Sequence, residues 1–387
     1  MSTSPKSSFL RVAACCATDI VACADTVTSA LAPIDPKLVL FFSCDGLRPL
    51  ATELSKRFPG AVVAGCSTAG EISAEGFVMD QVSALGLGAP AKIAGEEILD
   101  LANFPFEEGP TLIAKLAQQL GRTAADLAAS PEKFLFIMLA DGLSGAEEVL
   151  LASIGLAAPN VPLVGGSAGD NFKFQETLVA AGNTCHSGAA MLLLIEPGVP
   201  FHAFAGHNYR ATDRTVVVTS ADPETRMIHR LDGQPATTVA AELLGISLDQ
   251  LQADPGLAFA KAPLVFGFHG GPKAMYNRSV MSVSGSSLLM GGAIEAGTVL
   301  TVMAQGDIVE HTKRVLERVL ERFERPAGQL LFDCGGRLLG ARASGQLQEL
   351  AQVYNQVPTV GFTTYGEFYG PLLVNHTLTG VLFGEPQ

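Results

Sequence analysis

Apolar and polar positions along this 387-residue chain follow one plan written three times. Each copy opens with an apolar strand that runs into a small polar turn. These are residues 38–42 before Ser43-Cys44-Asp45-Gly46, 134–139 before Ala140-Asp141-Gly142, and 330–332 before Asp333-Cys334-Gly335-Gly336. Positions with helical spacing follow, such as Leu50, Leu54 and Phe58, and then a short second strand that ends in a glycine-rich corner. The corners read Gly65-Cys66-Ser67-Thr68-Ala69-Gly70-Glu71, Gly165-Gly166-Ser167-Ala168-Gly169-Asp170 and Gly361-Phe362-Thr363-Thr364-Tyr365-Gly366-Glu367. Another apolar strand closes each copy, at 82–87, 189–195 and 378–383. Strand, helix and strand within about 30 residues is the crossover of a parallel sheet. Nearly continuous apolar strands suit sheets covered on both faces. The predicted class is α/β, with repeated strand-helix-strand units forming mixed sheets covered by helices in two closely packed domains.

Residues 201–326, between the second and third copies, break the pattern. They read as a strand at 215–219, a turn at Leu231-Asp232-Gly233-Gln234-Pro235, a helix through 240–244 and a hairpin at 291–297. A helix opens at Asp307, with Glu310 as its capping partner, and runs to Arg325.

The corners carry the chemistry. Glycines let the backbone turn tightly and expose N–H groups, Ser and Thr add hydroxyls, and Glu or Asp adds a carboxylate. A concavity of amides holds an anion, and a carboxylate beside it holds an ammonium, which suits a zwitterion or a polar cofactor edge. The plainer reading is that they are only tight strand-to-strand turns.

Composition narrows the classes. Hydrophobic residues make up 48% and charged ones 16%, as in a well-packed globular chain. A net charge of −13 argues against nucleic acid, which needs clustered cations. Arg314, Arg318, Arg322 and Arg325 alternate with glutamates, as on a solvated helix face. The longest strictly apolar runs, 134–140 and 189–195, fall far short of the roughly 20 residues of a spanning helix. Arg11, Asp19 and Asp25 interrupt the start of the chain, so no signal-peptide core is expected there. The 7 cysteines include no C-x-x-C pair and read as free, mostly buried thiols of a cytoplasmic, soluble protein without membrane insertion.

At the corners the chain resembles the FIST family, sensory proteins built of a FIST N and a FIST C domain. The N-domain likeness rests on Phe41-Phe42-Ser43, Gly65–Glu71 and the 165–170 corner. The C-domain likeness rests on Asp232-Gly233-Gln234-Pro235-Ala236, Cys334-Gly335-Gly336-Arg337, Gly361-Phe362-Thr363-Thr364-Tyr365-Gly366-Glu367 and Asn375-His376-Thr377. The resemblance implies a small-ligand input module of bacterial signal transduction. It divides the chain into an N-terminal extension packed on the fold at 1–30, a FIST N domain at 31–225 and a FIST C domain at 226–387. Segments 206–213 and 216–226 are similar to the branch that binds haem b non-covalently, senses nitric oxide and regulates a separate histidine kinase in two-component regulation. That likeness implies the kinase as partner, with homo-oligomers as a further possibility.

Non-covalent haem needs an axial His, Cys, Met or Tyr in an apolar pocket. His207, between an apolar run and Tyr209, is the expected iron ligand, and Tyr209 and His376 are expected beside the cofactor, near the junction of the domains. His202 reads as part of a strand-like run; His186, His229, His269 and His311 read as structural positions, and Cys66 and Cys334 as weaker thiolate candidates. Ser67, Thr68, Glu71, Ser167, Asp170, Arg278, Tyr365 and Glu367 are expected around a polar ligand. Arg337 reads equally as a ligand clamp or an ion pair. The competing reading keeps the fold and replaces haem with an amino acid or similar metabolite at the corners. Gly165-Gly166-Ser167-Ala168-Gly169 fits the G-x-S-x-G elbow, but the other two corners do not, and the chain is read as a non-enzyme.

Overall fold

The computed structural model describes residues 7–269 and 275–386. Residues 1–6 of the expected extension, and the glycines that follow His269, lie outside the described residues. The chain forms two units. One comprises Met1–Gly206, Ile308–Leu372 and Leu378–Gln387; the other comprises His207–Asp307 and Leu373–Thr377.

The first unit holds all three repeats. In each, a parallel strand pair is joined through helix: Leu38–Ser43 and Val62–Cys66 through Leu47–Arg57, Leu135–Ala140 and Leu163–Ser167 through Glu147–Ala157, and Pro326–Cys334 and Thr359–Thr364 through Gly335–Ala343 and Leu347–Tyr354. The strands that close the copies, Gln81–Leu87, Ala190–Glu196 and Leu378–Gly384, return antiparallel beside the first strand of each pair. An edge strand completes each sheet, at Leu10–Cys16, Lys92–Ile98 and Phe201–Gly206.

The sheets trade strands in a cycle. The short strand after the first corner, Glu71–Ser73, pairs with the third repeat's Thr359–Thr364. Val179–Ala181 of the second repeat pairs with Val62–Cys66 of the first, and Glu367–Tyr369 of the third pairs with Leu163–Ser167 of the second. One apolar core, including Phe42, Leu139, Val164, Phe332 and Phe362, draws on all three copies. This is the mixed, helix-covered α/β architecture the pattern predicts.

The second unit is built on a seven-stranded sheet in which Tyr209–Asp222 pairs with Val299–Gln305 and Val265–His269 pairs with Met275–Ser284. Two expectations change here and at its border. The hairpin falls between Met275–Ser284 and Ser287–Met290, not at 291–297, because Gly285 supplies the positive φ of 60° that the turn requires. The helix expected to reach Arg325 spans Ile308–Leu320.

A third correction concerns the thiols. Cys15 and Cys23 form a disulfide, because the helix Ile20–Leu31 folds back on the strand Leu10–Cys16 and brings their Cα atoms to 5.6 Å, within bridging range. Among the described residues no helix is long and apolar enough to cross a membrane.

Candidate functional site

The three corners share one geometry, set by the glycine that opens each. A Cβ on Gly65 would lie 2.2 Å from the Phe41 carbonyl oxygen, on Gly165 1.9 Å from that of Met138, and on Gly361 1.9 Å from that of Leu331. Only glycine lets these strands approach so closely.

Backbone hydrogen bonds then tie the corners into a ring. Ala69 N–H donates to Thr363 O (3.0 Å) and Thr363 N–H to Gly70 O (2.7 Å). Ser167 N–H donates to Gly366 O (2.8 Å), Tyr365 N–H to Ser167 O (3.1 Å) and Gly169 N–H to Ser67 O (3.0 Å).

The ring gathers seven of the expected ligand residues, Ser67, Thr68, Glu71, Ser167, Asp170, Tyr365 and Glu367, and most of their polar atoms are engaged within the protein, Glu71 Oε2 being buried without a hydrogen bond among the described residues. Glu71 Oε1 accepts from the Thr68 hydroxyl and the Cys44 amide, each at 2.6 Å. The Thr364 hydroxyl donates in the same way to Glu367, and the Ser167 hydroxyl donates to Glu147 at 2.9 Å. The Asp170 carboxylate accepts from the Tyr365 hydroxyl at 2.5 Å and from the amides of Phe174, Gln175 and Glu176. Burial pushes the Asp170 carboxyl up, but those bonds outweigh it and hold it below the usual range. At Glu71 burial wins instead and raises the carboxyl to about 7, against the pull of Thr68 and Cys44. Three cavities found among the described residues have no corner residue in their lining. The ring is a packed knot.

Arg337 resolves as an ion pair within the chain. Its Nε donates to Asp333 at 2.5 Å, Nη2 donates to the Thr312 hydroxyl, and Tyr354 closes on the other Asp333 oxygen, all buried.

The residues expected at the cofactor lie in the second unit. His207, Tyr209 and His376 converge there: the Tyr209 hydroxyl lies 3.3 Å from His376 Nδ1, and the Tyr209 amide donates to His207 Nδ1 at 3.3 Å. His207 Nε2 meets the Met275 carbonyl at 3.2 Å, so both ring nitrogens are engaged. Met275 and Met303 pack with Tyr209, and a Cβ on Gly267 would meet their sulfurs at 2.6 and 2.7 Å. Arg278 is buried too, with Nη1 donating to Leu373 O and its guanidinium 4.9 Å over the Phe268 ring. As folded, this cluster has the donor types for haem, with the sulfurs of Met275 and Met303 packed beside Gly267.

Room lies elsewhere in the first unit. Two cavities of about 600 Å³ each share Glu132, Phe201 and His202, so they form one groove along the edge strand Phe201–Gly206. One half is walled by Ile154, Val161, Leu163, Phe201, Tyr369 and Pro371. The other carries Lys133, Glu196 and Arg322. Glu196 is neutralised by Arg122 at 2.6 Å and Lys92 at 3.5 Å, whereas Lys133 and Arg322 have no ion-pair partner among the described residues. The His202 side chain makes no hydrogen bond among the described residues, and burial, reinforced by Arg322, holds its pKa below the ordinary value. This half-buried imidazole therefore faces the groove with no hydrogen bond to a described residue.

Sequence reasoning passed over this groove because His202 carries no repeated signal. Aligned on the corner glycines, the edge-strand position reads Arg11, Ala94 and His202, while its neighbour stays apolar as Leu10, Ile93 and Phe201. Among the described residues no three His, Cys, Asp or Glu side chains gather as a metal cluster.

Comparison with known families follows this geometry. Residues 37–234 match the FIST N domain and 236–370 the FIST C domain. The chain belongs to the FIST family. FIST domains are in general small-ligand sensing domains of signalling proteins. The boundary between the two FIST matches falls within the second spatial unit. No curated protein matches the FIST chain. Among solved structures it is similar to a cyanuric acid hydrolase from A. caulinodans, at 10% identity and a TM-score of 0.34, over 98% of this chain and 99% of that one. The expectation of a non-enzyme is therefore withdrawn: a structure matched along nearly the whole length is a hydrolase. A likeness of that depth carries no activity to the FIST chain.

Proposed function

We propose that this FIST protein is a small-ligand sensor that holds haem b non-covalently, senses nitric oxide and passes the signal to a separate histidine kinase. The observation that carries the reading is the groove around His202. Each half lies within the roughly 300–1,000 Å³ of small-molecule and cofactor sites, one half is walled mainly by apolar side chains, and the groove contains an imidazole with no hydrogen-bond partner among the described residues. When bound, haem supplies an iron that takes up a diatomic gas; the chain supplies the ligand, the apolar wall and the exclusion of water.

The edge strand Phe201–Gly206 pairs with Leu378–Gly384 and lends Phe201 and His202 to the groove, so a change at His202 acts on a strand of that sheet. Such a strand is an element whose packing a bound ligand can bias for a partner to read.

An absorption spectrum of the purified protein, alone and with added hemin, tests the reading. A Soret band that shifts when nitric oxide is added to the reduced protein supports it. A colourless protein that takes up no hemin contradicts it.

A further inference from the structure

We infer that His202, not His207, is the protein ligand to the iron, with Lys133 and Arg322 receiving the carboxylates of the porphyrin. The inference rests on the haem reading above and assigns its site.

The two histidines differ in what their nitrogens already do. His207 gives Nδ1 to the Tyr209 amide and Nε2 to the Met275 carbonyl, so ligating iron would cost it one of those bonds. A buried partner left unmatched is costly, and the sulfurs of Met275 and Met303 already pack beside this cluster. The His202 ring has no such bond to lose among the described residues. It lines both halves of the groove, between the apolar wall on one side and Arg322 on the other.

The walls match the rest of the ligand. A porphyrin is a flat apolar plate with two carboxylates on one edge. Ile154, Leu163, Phe201 and Tyr369 form an apolar face on one side of His202, and the cations Lys133 and Arg322 stand on the other. Glu132, at the shared border, is the one acidic lining residue without an ion-pair partner among the described residues. An amphipathic plate with its acidic edge toward Arg322 fits this polarity, and the reverse orientation does not.

Hemin titration of the full chain, read at the Soret band, decides the matter. His202→Ala is expected to shift the band and weaken hemin by roughly 100-fold, at or beyond what loss of an outer partner costs a metal site. Added imidazole should restore the band in that variant, which a merely structural residue would not allow. The same variant should bind iron-free protoporphyrin IX as the unaltered protein does, because the apolar wall is intact. His207→Ala should keep the wild-type spectrum, and Arg322→Glu should weaken hemin and protoporphyrin alike. If His202→Ala keeps the wild-type band and affinity while His207→Ala loses them, the assignment falls and the haem reading stands. If the unaltered protein takes up no hemin, both fall.

Discussion

The ring of corners and the groove around His202 belong to the same unit, yet they treat polar atoms in opposite ways. In the ring, Thr68 answers Glu71, Thr364 answers Glu367, and Tyr365 with three amides answers Asp170, all within a packed interior. In the groove, His202, Lys133 and Arg322 face open space with no hydrogen-bonded partner among the described side chains. The ring is what the three repeats have in common; the groove is where one repeat departs from the other two. Repeated residues here build the scaffold, and the departure leaves chemistry unspent for a ligand.

That contrast is sharpened first by stability. Arg337→Met would strip the cation from buried Asp333, leaving Tyr354 as its side-chain partner, and should cost about 3–5 kcal/mol in urea unfolding. Gly361→Ala forces a Cβ against the Leu331 carbonyl and should cost at or above the upper end of the roughly 1–3 kcal/mol of overpacking. Arg322→Glu and Lys133→Ala, on the groove rim, should each change stability by less than about 0.5 kcal/mol. Comparable losses at rim and ring would erase the distinction.

A pH series probes the ring without disturbing its backbone. The folded carboxyl of Glu71 titrates at about 7 against an ordinary 4.5, so the folded state binds more protons than the unfolded one between those values. Its contribution to stability is therefore greatest below pH 4.5 and is lost as the pH rises toward 7, by on the order of 3 kcal/mol. Glu71→Gln should flatten that slope in urea midpoints taken between pH 5 and 8; an unchanged slope would show that Glu71 is not its source.

The smallest expected effect lies in the groove. Arg322→Glu should raise the His202 pKa, measured by imidazole proton resonances, because it replaces a nearby cation with an anion. An unmoved resonance would place Arg322 too far away to meet a ligand held by His202.

The ring was legible in the sequence because its constraint is local and recurrent. A strand that must pass a neighbouring carbonyl at the distance of Gly65, Gly165 and Gly361 accepts one residue type, and the polar residues after it repeat with it. The apolar strands were legible for the same reason. The exchange of hairpins was not, since nothing in Glu71-Ile72-Ser73 says which sheet a three-residue strand will join. The Cys15–Cys23 bridge needed the fold-back of a helix on a strand, which spacing alone does not specify. His207 drew attention by its motif, but its engagement by Met275 comes from a strand 68 residues away. His202 was hidden by variation, standing where the other copies have Arg11 and Ala94.

The account depends most on where a porphyrin sits, and paramagnetic broadening reports that directly. Ferric hemin added to methyl-labelled protein should erase the methyl signals of Ile154, Val161 and Leu163 along the groove. The methyls of Val265 and Met303, which cluster with Tyr209, should stay sharp. Broadening of Val265 and Met303, with Ile154 and Leu163 unchanged, would contradict the account and return the ligand to His207.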